Sequence, residues 1–231
     1  MSDEYERNPE STDAVSTPRP WRGFTVLEVL GVLGVIVLLI MLLVPLSRGG
    51  AREAARRAQC VNNLKQIELA LRNYEQEHKA LPPAYTVDAD GRPLHSWRTL
   101  ILPYFEQEAL YRSIDLTKPW NDPANAKALE TSLSAYHCPS SPGEPNTTTY
   151  LANVGPRGCL DPTRPRRLEE ITDGTSSTLM VIEAGEDDAV PWMAPVDADE
   201  ALVTSFGPTT KVHHPGGVNA CLVDGSVRFL K

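Results

Sequence analysis

The chain has 231 residues, 30 acidic against 22 basic side chains, and a net charge of −8. That balance argues against a main role in binding nucleic acid, which needs a basic surface. Four cysteines without a C-x-x-C pair argue against a zinc ribbon or a thiol redox motif, and no G-x-S-x-G, H-E-x-x-H or phosphate loop occurs to mark an enzyme.

The first 23 residues hold three arginines and five acids. From Phe24 to Leu46 the chain is then almost wholly apolar, with Glu28 as its only charge. Roughly 20 apolar residues suffice for a helix to cross a bilayer, and a cleaved secretory signal is shorter and ends in a small-residue site that is missing here. The run therefore reads as a retained anchor. A carboxylate inside such a run is costly and needs a partner. One reading leaves Glu28 near the helix N-terminus, favoured by the dipole and reaching for the headgroups. The other pairs it with a neighbouring subunit's α-amino group, created by cutting the chain between Gly23 and Phe24.

Beyond the span, Cys60, Leu64, Ile67, Leu71 and Tyr74 recur at helical spacing, with polar residues on the other faces. The spacing predicts an amphipathic helix that ends near Ala80, because Leu81-Pro82-Pro83 cannot continue it. Pro45 and the Gly49-Gly50 pair are expected to kink or melt the helix between its two halves. Residues 47–79 carry seven basic and four acidic side chains, and residues 80–231 carry 12 and 20. The basic stretch suits a helix close to anionic headgroups.

Most of the twenty prolines lie beyond residue 80, which predicts a loop-rich head with short strands. Pro103 marks a helix restarting within Ser96–Ile114, and Asp122-Pro123 is an N-cap followed by proline, opening a short helix through Leu133. Asp173-Gly174 reads as a turn before a strand at Thr178–Glu183. Val218–Leu230 is two alternating runs around Asp224-Gly225, the signal of a hairpin with a two-residue type I′ turn. The fold class expected is α+β, divided into a leader over 1–23, a membrane half-helix over 24–46, an amphipathic half over 47–80, and a head over 81–231.

Among the cysteines Cys60, Cys138, Cys159 and Cys221, sequence alone cannot choose a pairing. Cys138 and Cys159 are closest and flank a polar loop, so a Cys138–Cys159 disulfide is one expectation, and buried free thiols are the alternative. His213, His214 and Asp224, with Cys221 or a nearby acid, could form a metal site. The alternative is structural, with His214 closing a loop onto the hairpin end. Acid clusters at Glu186-Asp187-Asp188 and at Asp197, Asp199 and Glu200 are candidates for calcium, and no other cofactor is indicated.

Two resemblances sharpen the picture. Gly23-Phe24-Thr25-Val26-Leu27-Glu28 followed by an apolar run resembles the class III signal of type IV pilins and type II secretion pseudopilins. That likeness implies cleavage after Gly23 by a prepilin peptidase, methylation of Phe24, and a part for Glu28 in assembly. It also implies a pilin-like fold, other pilin-like subunits as partners, and a single-pass protein in the inner membrane with its C-terminal domain periplasmic or extracellular. The net acidic leader departs from that pattern. The segments "CVNNLKQIELALRNYE", "LPYFEQEALY", "CPSSP", "ITDGTSSTLMVIE" and "HHPGGVNACLVDGSVRFL" resemble a bacterial family of unknown function with a prepilin-type start and an H-x9-DG signature, here His214, Asp224 and Gly225. "CPSSP" places Ser141 where that family usually has aspartate. Taken together, these imply a structural pilin-like subunit rather than an enzyme. A non-polymerising anchored protein that binds sugar or peptide through its head is the alternative.

Overall fold

A computed structural model describes residues 24–43, 48–207 and 210–231. The leader, Gly23 and Pro45 lie outside the described residues. The chain divides into two compact units, one ending at Leu46 and the other beginning at Ser47.

In the first unit, helix α1 spans Val26–Leu43. Every described side chain from Phe24 to Met41 is exposed, Leu27 at 83% and Met41 at 66% among them. Among the described residues no helix is long and apolar enough to cross a membrane.

The second unit is built on α2, Arg48–His78, a helix of 31 residues. It runs unbroken through Gly49 and Gly50, so the expected melting there does not occur. It ends where Lys79 turns left-handed (φ 59°) and returns its N–H to the Glu75 carbonyl at 2.7 Å. The predicted stripe faces inward: Cys60, Leu64, Ile67 and Leu71 are fully buried, and Tyr74 packs at the edge.

Opposite α2 lies a four-stranded antiparallel sheet. Its strands are β4 (Tyr150–Ala152), β5 (Leu179–Glu183), β7 (Val218–Leu222) and β8 (Val227–Leu230), in that order. Alternation divides the faces. Tyr150, Ala152, Val181 and Cys221 pack toward α2, whereas Leu151, Ile182, Val218 and Ala220 form a second core with Leu202, Val203 and Phe206. Leu202 and Val203 belong to the short helix α6, Glu200–Ser205. Small antiparallel pairs flank the sheet: β1 (Tyr85–Val87) with β2 (Pro93–Ser96), and β3 (Thr147–Thr148) with β6 (Val190–Pro191). The mixed architecture agrees with the expected α+β class.

Local expectations fare unevenly. Pro103 sits in the first turn of a 3₁₀ helix, Leu102–Phe105, between α3 (Trp97–Leu100) and α4 (Glu108–Arg112). Asp122 caps as expected by accepting from the Ala124 N–H at 2.9 Å, but the helix it opens ends with α5, Ala126–Leu129, short of Leu133. The β7–β8 hairpin forms, yet its loop is three residues, Val223-Asp224-Gly225, because Cys221 pairs with Val227. The Gly225 N–H returns to the Leu222 carbonyl and the Leu222 N–H to the Ser226 carbonyl, and only Gly225 has positive φ (83°). This is a type I turn with a glycine bulge, not the expected type I′ turn.

Candidate functional site

Four buried side chains from four separate elements converge beneath α2: Cys60, Cys138, Glu183 and His214, whose donor atoms all lie within 4.8 Å of one another. Cys60 is the first member of the α2 stripe. Cys138 follows a 3₁₀ turn, Ser134–Tyr136, which Asn63 ties to α2 by donating its side-chain N–H groups to the Ser134 and His137 carbonyls, each at 3.1 Å. Glu183 ends β5 on the face toward α2. His214 opens the turn His214-Pro215-Gly216-Gly217, where proline presets one central position and Gly216 supplies the positive φ (86°) of the other.

The Cys60 and Cys138 sulfurs are 3.0 Å apart, His214 Nε2 is 3.7 Å from Cys138 Sγ, and the same nitrogen is 3.4 Å from Glu183 Oε1. A surrounding set of contacts fixes these groups. His214 Nδ1 meets Glu53 Oε1 at 2.6 Å, so its other nitrogen faces the cluster. The Asn219 side chain and backbone N–H donate to Glu183 Oε2 at 2.8 and 3.3 Å. Glu183 Oε1, in contrast, is buried and makes no hydrogen bond.

The electrostatics follow from this crowding. Hydrogen bonding to Cys60 and burial push the Cys138 thiol far up. Burial acts to lower the His214 pKa, but contacts with Cys138, Glu183 and Glu53 outweigh it and carry it to about 10. Burial acts to raise Glu183, and His214 and Cys138 overcome it to hold the carboxyl below its usual range. Glu53 is likewise held down by its hydrogen bond to His214.

Several expectations need correction. All four cysteines are free and buried, and Cys138 faces Cys60 rather than Cys159. Cys159 lies in the core beside Cys221, and burial pushes each of those thiols up to about 12. The expected metal set of His213, His214, Asp224 and Cys221 is not assembled; of these only His214 joins the cluster. His213 instead lies 3.9 Å from Glu186. Nor does His214 close onto the hairpin. The Asp224 carboxylate accepts from the Ser226 N–H and hydroxyl at 2.9 and 2.6 Å, and Gly225 lies against Glu68 of α2. The histidine and the Asp-Gly pair are therefore two separate devices, both turned toward α2. The acid clusters have other partners: Asp197 binds Arg98, Asp199 caps α6, Glu200 meets Arg157 and Asp187 meets Lys211. Ser141 helps close the turn after Cys138 and contributes nothing to the cluster.

At the head of α1, Glu28 accepts from the Thr25 N–H at 2.8 Å and hydroxyl at 3.1 Å, while its own N–H donates to Thr25 Oγ1 at 3.3 Å. Thr25-x-x-Glu28 is thus a capping box, a local use for the acid that the sequence pattern could have revealed. Phe24 precedes it and is 83% exposed.

A family model described as "Protein of unknown function (DUF1559)" matches residues 50–211. The chain belongs to that family. The DUF1559 match takes in Cys60, Cys138 and Glu183, and ends three residues before His214. It therefore does not rest on the apolar N-terminal run or on the H-x9-DG residues. No curated protein and no solved structure matches the chain.

Proposed function

We propose that this DUF1559 protein is a pilin-like structural subunit. In this reading residues 24–46 anchor it in the inner membrane, with the N-terminus cytoplasmic and the head on the far side. A prepilin peptidase cuts between Gly23 and Phe24, and the subunit joins others of its kind in a type II secretion or type IV pilus-like assembly. The observation that carries this reading is α1, a helix apolar on every side but Glu28 whose described side chains are all exposed. An apolar surface of that extent needs lipid or other apolar helices around it. Glu28, already bonded to Thr25, is free to exchange that contact for the α-amino group of a neighbour's processed Phe24. The deciding experiment is mass spectrometry of the N-terminal peptide of the protein taken from its native membrane. The expected peptide begins at Phe24 and carries an added methyl; a chain beginning at Met1 or Ser2 would sink the proposal.

A second reading, a non-polymerising anchored binding protein, has one observation in its favour. The outer face of the sheet holds an apolar cleft of about 490 Å³ lined by Leu179, Ile182, Val203, Phe206, Val212 and Val218. Glu28→Gln separates the two readings. Under the first it abolishes recovery of the subunit in assemblies, and under the second it changes neither anchoring nor ligand binding.

A further inference from the structure

We propose that Cys60, Cys138, Glu183 and His214 bind a single Zn²⁺ ion that fastens α2 to the head. The chemistry of the set comes first. Two thiols, an imidazole and a carboxylate are the zinc donors, and soft sulfur ligands set such a site apart from one for calcium or magnesium. Four protein donors leave no open position, which marks a structural rather than a catalytic zinc.

Geometry comes second. Tetrahedral zinc with ordinary bond lengths places a nitrogen and an oxygen ligand about 3.4 Å apart, a sulfur and a nitrogen about 3.6 Å, and two sulfurs about 3.8 Å. The corresponding separations are 3.4 Å for His214 to Glu183, 3.7 Å for Cys138 to His214, and 3.0 Å for the two sulfurs. Of these three pairs only the sulfurs must move, spreading by less than an ångström, and the remaining donor pairs lie within 4.8 Å.

The surroundings come third. Ligating histidines characteristically give their other ring nitrogen to a carboxylate, and ligating carboxylates are themselves hydrogen-bonded. Glu53 and Asn219 supply both contacts. They leave His214 Nε2 and Glu183 Oε1 facing the cluster. Glu183 is only 1% exposed, yet that oxygen has no hydrogen-bond partner. A Cys60–Cys138 disulfide would account for the two sulfurs, but not for a buried carboxylate oxygen without a hydrogen bond that shares the cluster with His214 Nε2, 3.4 Å away.

The ligands also join parts of the chain that no disulfide links among the described residues: α2, the loop before β3, the end of β5 and the turn before β7. A metal here clamps α2 to three elements of the head. The inference does not depend on whether the chain polymerises.

The test uses the full chain in detergent, purified under reducing conditions without chelator. The expected result is about one zinc per chain by elemental analysis. Replacement by Co²⁺ should give the visible and sulfur-to-cobalt charge-transfer bands of tetrahedral thiolate ligation. Cys60→Ser should lose both the metal and the bands, and Cys159→Ser, at the other buried pair, should keep them. Glu53→Gln is expected to weaken zinc binding by about 10–100-fold through loss of the histidine's orienting partner. If Cys60→Ser fails to fold, the cobalt spectrum of the unaltered chain decides. The proposal is overturned if the folded, reduced chain takes up neither metal. It is equally overturned by a metal-free chain whose mass shows a Cys60–Cys138 disulfide, or by a Cys60→Ser variant that keeps full stoichiometry and bands.

Discussion

Arg98 and Asp197 form a 2.7 Å ion pair in the interior, both side chains shut off from solvent. Arg98 also donates to the carbonyls of Tyr150, Trp192, Ala194 and Val196, and Asp197 accepts from the Trp97 indole and the Ala152 N–H. One guanidinium thus holds β4 to the loop that follows β6. Removing one partner of such a pair leaves a bare charge in low dielectric, which typically costs about 3–5 kcal/mol. Arg98→Met should cost that much in chemical denaturation of the detergent-solubilised chain. Adding Asp197→Leu should recover part of it. A loss below about 1 kcal/mol for Arg98→Met would show that the network is not what holds these loops.

Gly225 is set by two independent demands. Its φ of 83° is left-handed, and a Cβ there would lie 3.0 Å from the Glu68 carboxyl. Gly91 has nearly the same φ, 80°, with open space around it. Alanine at Gly91 therefore meets only the backbone cost, about 1 kcal/mol. Alanine at Gly225 should cost about 1–2 kcal/mol more, because a packed contact between hairpin and α2 must shift. Placing Gly225→Ala in a Glu68→Ala background should bring the two glycines level in thermal unfolding. If they are already level with Glu68 present, the close approach carries no energy.

These residues show why some of the fold was legible and some was not. The α2 stripe was readable because its period is local, and burial at Cys60, Leu64, Ile67 and Leu71 follows from it. The hairpin was readable from Asp-Gly between alternating runs. Its turn type was not, since Asp-Gly serves a type I turn with a glycine bulge as well as type I′, and only the cross-strand register decides. The buried cluster could not be read. Cys60 and His214 lie 78 and 76 residues from Cys138, so no local spacing links them. Proximity in sequence favoured Cys159 as the partner of Cys138, whereas the sheet carries Cys159 to Cys221 instead. Arg98 sat unnoticed in a short helix because a lone arginine there reads as a surface residue until its carbonyl partners are in place.

His95, on β2, is buried with no hydrogen bond to either ring nitrogen. Burial lowers its pKa below 6.5, and neither the Asp115 carboxylate nor the backbone of Asp115 and Lys118, which act the other way, restores it. The unfolded chain therefore binds a proton near pH 6.5 that the folded chain refuses. Stability from this group is complete above about pH 6.5 and is lost as pH falls toward the folded pKa. In unfolding between pH 8 and pH 5 that decline should appear as a difference in slope between the unaltered chain and His95→Leu, because His214, carried up to about 10, acts in the opposite sense in both chains. Identical slopes for the two chains would mean that His95 is protonated in the fold as readily as out of it.

The α2 stripe also bears on how subunits could meet. Ile67 is fully buried against the head, whereas Leu69, two positions on, is 58% exposed. Ile67→Ala should cost about 2–5 kcal/mol by leaving a cavity, and Leu69→Ala should stay within about 0.5 kcal/mol, both measured by denaturant unfolding. Comparable losses at the two positions would mean that the inward face of α2 is misassigned. If the contrast holds, the apolar face of α2 is already occupied by the chain's own head. Contacts between subunits in the proposed assembly must then come from α1 or from exposed side chains such as Leu69. Leu69→Ala in cells becomes informative for that reason: a variant that is fully stable yet missing from assemblies places α2's outer face at the subunit contact, and one that assembles normally leaves α1, with Glu28, to make it.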